Sequence, residues 1–437
     1  MNNQLPFDVT LVPKEWSIIP CGVFFKVKSI KNTEGEINLS VYRDYGVIPK
    51  DSRDDNHNRV SDDTSNYKLV EPGDFVLNKM KGWSGSLGVS DYRGIVSPSY
   101  TVLEPVKEID NKYFHYLLRS ETYRQIYESL SYGVRIDQWE LRYHDFKLIP
   151  ALYPPIEEQK LISSYLDKKT SQIDSLVDKI QKKIELLKKK RTSLINHYVT
   201  KGLDRNVKRK ETGIDWIGEI PNHWEIISMK RLFSTNFGGS WGEEPNKNQI
   251  NNLVRVIRVT EFDMNTLTVS KEIPTIRSLE LTDNSQKLIK NGDIILEKSG
   301  GGEKTPVGRA VVFDQTSEGQ VVNSNFTNVC RPNKSIVDPF FCVLALNCLY
   351  SSGTTFRSIK QTTGIQNLDL DSFMSEKIVL PPMNEQSEIS KKFKETNNLL
   401  QDLIKKNNHK IELLKEYRRS IVSNVITGQL KVTGSVK

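Results

Sequence analysis

Cysteine is scarce in this sequence, and what there is stands apart. Cys21, Cys330, Cys342 and Cys348 form no C-x-x-C pair, and the six histidines show no H-x-x-x-H spacing. That pattern argues against a zinc site or a disulfide framework and makes a reducing cytosol the expected home. Met1-Asn2-Asn3-Gln4 lacks the basic and then apolar pattern of an export signal. The longest apolar run, Phe340 to Leu346, is far too short to cross a bilayer and reads as a buried helix or strand.

A chain of 437 residues has room for two or three domains with real cores. Its net charge of +8 and pI near 9.0 suit a nucleic-acid partner without requiring one. The charge is unevenly placed. Lys160 to Lys210 holds 15 Lys and Arg against 5 Asp and Glu, which leaves the remainder near neutral.

What the sequence does have is a stretch that occurs twice. Moving Pro154–Thr200 forward by 227 positions lands on Pro381–Thr427 without a gap, with 17 identities over 47 positions. Unrelated sequence gives roughly 3, so this is a duplication. Pro154-Pro155 maps to Pro381-Pro382, Glu158-Gln159 to Glu385-Gln386, and Arg191 to Arg418. Steps of 4 and 3 pick out an apolar seam in both copies: Ile173, Val177, Ile180, Ile184 and Leu187 in the first, Leu400, Ile404, Ile411, Leu414 and Ile421 in the second. A 3.5-residue period asks for a partner helix along the seam, and two equivalent helices in one chain can satisfy each other. The Pro-Pro pairs suit a first helical turn.

The repeat extends upstream. Pro13-Lys14-Glu15-Trp16 is echoed by Pro221-Asn222-His223-Trp224, and Gly73-Asp74-Phe75-Val76-Leu77-Asn78-Lys79 by Gly292-Asp293-Ile294-Ile295-Leu296-Glu297-Lys298. The latter pair reads as a tight turn entering a strand. Val96–Tyr100 parallels Val322–Phe326, and Tyr132–Arg135 parallels Thr363–Gln366. Each unit is thus a head of mixed strands and short helices followed by one long helix, with Lys201–Pro221 as a linker. The heads have diverged: Pro155 follows Trp16 by 139 positions, whereas Pro382 follows Trp224 by 158. The domains read as 1–153 and 206–380 for the heads, 154–205 and 381–437 for the helical spacers. The fold class is α+β, two globular heads in pseudo-two-fold repeat with two long helices paired as an antiparallel coiled coil.

Such pairing puts the heads at opposite ends of a rod. A 45-residue helix is about 65 Å long, the reach of about 20 base pairs. Unlike heads imply an asymmetric, two-part target, as a true dimer implies a palindrome.

These residues resemble the specificity (S) subunit of type I restriction-modification enzymes. The resemblance covers nearly the whole chain. It rests on Lys210-Glu211-Thr212-Gly213-Ile214-Asp215-Trp216-Ile217-Gly218-Glu219-Ile220-Pro221 followed by His223-Trp224, on the Pro-Pro-x-x-Glu-Gln openings, and on the Gly-Asp turns at Gly73 and Gly292. It implies two target-recognition domains that each read half of a split DNA sequence in the major groove, and helices that dock two modification (M) subunits. Those subunits methylate adenine N6 with S-adenosylmethionine, and restriction (R) subunits add ATP- and Mg-dependent translocation and cleavage. No cofactor is expected on this chain. The first head begins Leu11-Val12-Pro13-Lys14-Glu15-Trp16 and lacks the Gly-x-x-Trp-x-Gly-Glu-x-Pro phrase, so its N-terminal docking is expected to differ.

The chain's own chemistry looks poor. The Pro-Pro pairs follow Tyr153 and Leu380 and precede Ile156 and Met383, unlike the Asp/Asn-Pro-Pro-aromatic motif that holds a flipped adenine. Gly300-Gly301-Gly302 with Lys304-Thr305 lacks phosphate-loop spacing and reads as a flexible reading loop. Asp293, Glu297 and Lys298 lack the carboxylate–x–lysine spacing of a nuclease, and the first head has Asn78 in place of Glu297.

Base reading needs polar side chains on loops that reach the groove, with cations on phosphates. The first head offers Lys79, Lys81, Trp83, Ser84, Ser97, Ser99, Tyr132 and Arg135. The second offers Lys298, Ser299, Lys304, Asn323, Asn325, Thr363, Gln366 and Asn367. Trp16 and Trp224 read as core anchors, while Arg191 and Arg418 either meet a carboxylate across the helix pair or mark an M-subunit contact. The expected partners are therefore double-stranded DNA, two M subunits and R subunits. A coiled-coil scaffold that binds only proteins is the alternative, which a salt titration of DNA binding separates.

Overall fold

A computed structural model describes residues 7–432, apart from 32–34, 44, 53–62, 134–138, 246–252, 281–286, 316–318 and 363. The chain forms two compact units. Unit 1 takes Met1–Ile180 and His409–Lys437, and unit 2 takes Gln181–Asn408. Two long helices, Ile156–Lys201 and Met383–Ile426, each contribute one half to each unit.

In unit 1 a four-stranded antiparallel sheet runs in the order Phe25–Lys28, Tyr100–Pro105, Phe75–Asn78, Leu87–Val89. Gly73, with φ of +95°, makes the turn into the Phe75–Asn78 strand, a conformation that costs glycine nothing. The first and last strands of the head, Ser17–Pro20 and Pro150–Tyr153, pair antiparallel and close it. The core packs Phe24, Phe75 and Tyr113 with Leu166 of the first long helix and Val425 of the second.

Unit 2 repeats this frame with additions. Its sheet has six strands, with Ile294–Glu297 between Thr327–Pro332 and Ala310–Val312. Gly292 (φ +93°) makes the matching turn. Glu225–Ser228 pairs with Lys377–Leu380 to close the head. Phe340 to Leu346, expected as a buried helix or strand, lies in the helix Pro339–Ser351, which is buried from Phe340 to Leu349.

The repeated Pro-Pro-x-x-Glu-Gln phrase acts as a clasp. In unit 1, the Trp16 indole donates to Glu158 (3.0 Å), and the Gln159 side chain accepts from the Asp110 amide (2.9 Å) while donating to the Pro154 carbonyl (2.8 Å). In unit 2, Trp224 donates to Glu385 (2.9 Å), and Gln386 accepts from the Asp338 amide (2.8 Å) and donates to the Pro381 carbonyl (2.8 Å). Asp110 and Asp338 in turn cap the N-termini of the Asn111–Arg119 and Pro339–Ser351 helices. One phrase thus ties the start of the head, its internal helix and its long helix together. Trp16 and Trp224 are buried, as a core anchor must be.

Within each unit the two long-helix halves run antiparallel. In unit 1, Arg418 donates to Asp174 (3.0 Å), whereas the earlier Leu166 shares a core with the later Val425 and Ile426. In unit 2, Arg191 donates to Asn397 (2.7 Å) while the later Ile195 shares a core with the earlier Phe393. Every expected seam residue is buried or half-buried. Off the seam, Leu186 and Leu399 are 65% and 66% exposed, so the period of 3.5 and not hydrophobicity alone sets the register. Arg418 meets a carboxylate, as one of its two readings required. Arg191 meets none among the described residues, and instead holds the Met264 and Asn265 carbonyls (both 2.9 Å).

One expectation needs correcting. Lys201–Pro221 is not a bare linker, because Arg209–Glu211 pairs with Glu219–Pro221 as a hairpin. Its Ile217 and Ile220 are buried in the unit 2 core beside Trp224. Gly213 and Gly218 take positive φ angles in this turn, and Thr212 donates to the Gly218 carbonyl (2.7 Å).

Candidate nucleic-acid interface

In each head the strand after the Gly-Asp turn delivers a lysine to the same backbone station. In unit 1 the Lys79 amide donates to the Ser99 carbonyl (3.1 Å), and the Lys79 carbonyl accepts from Leu141 (2.9 Å). In unit 2 the Lys298 amide donates to the Phe326 carbonyl (2.9 Å), and its carbonyl accepts from Leu368 (2.7 Å). Two of the segments that the sequence pairs across the repeat therefore meet in each head, and the third lies beside them through the Tyr132–Glu140 bridge in unit 1 and the Gly300–Gln366 bond in unit 2. Backbone hydrogen bonds hold them, which leaves side chains free to differ.

In unit 1 the station exposes Met80, Lys81, Ser99 and Tyr132. Asn78 accepts from the Met80 and Lys81 amides (3.1 and 3.3 Å) and so shapes the 79–86 loop. Trp83 is half-buried, edge-on to Trp139 at 6.0 Å, and the Ser84 hydroxyl donates to the Lys81 carbonyl (2.8 Å). Arg142 stacks over Tyr132 at 4.8 Å, an arrangement that fixes the ring. Half-buried Ser97 begins the turn, its carbonyl accepting from the Tyr100 amide (3.0 Å). Lys68 braces that turn through the Tyr100 carbonyl (2.5 Å), and burial, helped by nearby Lys79 and Lys31, lowers its pKa. Arg135 lies outside the described residues.

In unit 2, Ser299 donates to Asn367 (2.6 Å), and the Gly300 amide donates to the Gln366 carbonyl (3.1 Å), so the Ile359–Thr362/Ile365–Leu368 hairpin is docked on this strand exit. Asn325, Lys304 and Asn367 are exposed. Asn323 and Gln366 are buried instead. Asn323 donates to the Thr327 carbonyl (3.0 Å), and Gln366 accepts from the Val307 amide (3.3 Å), so both brace the loops from within. The Gly300–Lys304 loop is closed by reciprocal Gly302–Thr305 amide bonds, both 3.1 Å, and a Cβ on Gly301 would come within 2.6 Å of the Val307 amide nitrogen. Thr363 lies outside the described residues. Sequence reasoning passed over Phe326, which is 52% exposed on this surface although it stood in a repeated segment.

The carboxylates beneath these stations are committed elsewhere. Asp293 is bidentate to Arg331 (2.9 and 2.8 Å) and Glu297 to Arg309 (2.7 and 2.8 Å). Those hydrogen bonds outweigh burial and raise both arginine pKa values. In unit 1, burial opposes the charge of Lys28, but its bonds to Asp74 (2.8 Å) and Glu71 (2.5 Å) prevail and raise its pKa. Carboxylates engaged by buried or half-buried cations in this way brace the strands they stand on.

A two-headed chain with paired long helices and matched loop stations belongs to the class of repeated DNA-recognition proteins. The family described as the type I restriction modification DNA specificity domain matches residues 13–186 and 221–413, and the chain belongs to that family of specificity subunits. It is 23% identical over 428 residues to the type I restriction enzyme MjaVIII specificity subunit of Methanocaldococcus jannaschii, covering 96% of this chain and 94% of that one. It is 21% identical to the EcoKI specificity subunit of Escherichia coli K12, covering 83% and 75%. Among solved structures, the HsdS subunit of Thermoanaerobacter tengcongensis superimposes with a TM-score of 0.54 at 16% identity, over 96% and 98% of the chains. A chain solved in work on complex assembly and conformational transition of the type I R-M system gives 0.70 at 13%, over 96% and 99%. The matched relatives are specificity subunits, the non-catalytic members of their enzymes.

Proposed function

We propose that this chain reads a split, asymmetric DNA sequence, one half with each head, and positions adenine-N6 methyltransferase (M) and restriction (R) subunits on it. The observation that carries the reading is the matched station: the same backbone frame presents Lys81, Ser99 and Tyr132 in one head, and Asn325, Phe326 and Asn367 in the other. A shared frame with unlike side chains suits two readers of unlike sequence. The first long helix has 46 residues, about 69 Å, which is the scale of a gap between half-sites. S-adenosylmethionine, ATP and Mg would serve the partner subunits in the cytoplasm, and no helix among the described residues is long and apolar enough to cross a membrane.

The test is a head exchange. Residues 206–380 are replaced by the matching head of a different family member, and the methylome is sequenced in cells carrying the native M subunits. One half of the methylated sequence changes and the other stays. A change in both halves, or methylation with no split sequence at all, removes the reading.

A further inference from the structure

Unit 1 contains a cleft of about 1130 Å³ between the Asn111–Arg119 and Glu121–Leu130 helices and the Lys415–Val422 stretch of the second long helix. Its lining is rich in cations, and most are already engaged. Lys112 meets Asp167 (2.6 Å) and Arg418 meets Asp174 (3.0 Å), while Arg119 is spent on the Leu87 and Arg43 carbonyls (2.7 and 2.6 Å). At one end three guanidinium groups, Arg43, Arg124 and Arg419, gather near Glu121, and Arg124 also meets Glu128 (3.4 Å). Arg124 holds the Glu121 carboxylate by hydrogen bonds, and Arg43 and Arg419 help keep it ionised. Arg43 and Arg419 are exposed and have no carboxylate in hydrogen-bonding contact among the described residues. Two acids, Glu121 and Glu128, both engage Arg124 and cannot balance three arginines, so this end of the cleft carries excess positive charge in a concave surface, the arrangement that concentrates anions.

Its location says which anion. Ser84 and Gly85, at the end of the candidate reading loop 79–86, also line the cleft, and a Cβ on Gly85 would sit 3.9 Å from Arg124 Cγ. A duplex read by that loop has flanking phosphates next to it, and guanidinium forks match phosphate oxygens bidentately. Among the described residues unit 2 has no equivalent lining: its counterpart helix Pro339–Ser351 carries no charged residue and is buried along nearly its whole length.

We infer that the Arg43–Arg124–Arg419 end of this cleft binds the phosphodiester backbone of DNA flanking the half-site of head 1, an anchor without a counterpart on the matching helix of head 2. This rests on the DNA-reading function proposed above. Phosphate contacts set affinity and register but carry no base information. Their removal therefore weakens every duplex alike and leaves the recognised sequence unchanged.

The experiment measures the affinity of the full chain, assembled with its methyltransferase partner, for target and non-target duplexes between 50 and 200 mM salt. Arg43→Ala/Arg419→Ala should reduce the slope of log K against log salt by about 2, near 0.9 for each phosphate that is no longer neutralised. The ratio of target to non-target affinity stays as it was, and Arg43→Lys/Arg419→Lys recovers most of the slope. A steep native slope that the double alanine variant retains overturns the cleft assignment and leaves the DNA reading intact. An unchanged slope with loss of a partner subunit on gel filtration also overturns it, in favour of an acidic protein segment. Failure of the native assembly to bind DNA sinks the function itself.

Discussion

The Asn111–Arg119 and Pro339–Ser351 helices hold the same place in their heads, each following a strand of the central sheet and each capped by an aspartate whose amide is held by a clasp glutamine. Their faces could hardly differ more. The first carries Lys112, His115 and Arg119 toward a polar cleft, whereas in the second Phe340 through Leu349 are all buried. Unit 2 has a six-stranded sheet where unit 1 has four strands, and its helix packs against this larger structure. The comparison teaches that duplication has preserved what closes each head and released what faces outward. Recognition surfaces can then diverge without reopening the fold.

The largest effect should come from the buried ion pairs, because each head satisfies the same aspartate differently. Asp293 meets Arg331 of a neighbouring strand, and Asp74 meets Lys28 of a different strand position. Removing Asp293 leaves the mostly buried Arg331 without its carboxylate, a loss of about 3–5 kcal/mol, whereas removing Asp74 leaves buried Lys28 with Glu71 and costs about 1–3 kcal/mol. Hydrogen exchange of the Ile294–Glu297 amides in Asp293→Ala, and of the Phe75–Asn78 amides in Asp74→Ala, reads each unit separately. Losses below about 1 kcal/mol would mean that the common turn does not depend on its partner's charge, and the equivalence of the two solutions would fail.

The clasp gives a sharper and smaller test. Gln159→Ala and Gln386→Ala each strand a capping amide and a proline carbonyl, which costs about 1–3 kcal/mol. Gln386 also donates to the Ile336 carbonyl (3.1 Å), so if the clasp is the preserved part of the repeat, the Gln386 loss exceeds the Gln159 loss by no more than that bond contributes, about 1 kcal/mol, in the same amide-exchange measurement. A larger difference would show that the frames, and not only the faces, have drifted.

Much of this frame was legible from the sequence because it is periodic or repeated. The 3.5-residue seam, the Gly-Asp turns and the tryptophan anchors each follow from local pattern, and each is observed. The site was less legible, since a polar residue's role depends on which way its loop turns. Asn323 and Asn325 differ by two positions, yet one is buried under the strand exit and the other is exposed. The cleft was invisible for a different reason: Arg43, Arg124 and Arg419 are far apart in sequence and belong to no shared motif. The hairpin at Arg209–Pro221 was missed because its charge and glycine outweighed the apolar residues, Ile217 and Ile220 among them, that fold into the core.

The smallest expected effect separates the two counterpart helices by pH. His115 lies with its ring against Gly46 and Gly88, where an added Cβ would meet its Cε1 at 3.1 and 3.3 Å. Burial, with a smaller push from Arg119, lowers its pKa to about 3, against a weaker opposing pull from Asp167. The folded state therefore holds this imidazole neutral while the unfolded chain protonates it from the ordinary value of 6.5 downward. A depressed folded pKa contributes stability that is fully present above 6.5 and is lost as pH falls toward about 3. The slope is about 1.4 kcal/mol per pH unit. Between pH 6.5 and 5.5, where most carboxylates remain ionised, unit 1 should lose about 1 kcal/mol by this route. The helix of unit 2 contains no ionisable residue other than cysteine and tyrosine, and contributes nothing over that range. Amide exchange in the two sheets at pH 6.5 and 5.5, in the native chain and in His115→Gln, isolates the difference. A native unit 1 that loses no more than the variant over that interval would mean that the histidine is solvated in the folded state, and the polar helix would then be as indifferent to pH as its apolar counterpart.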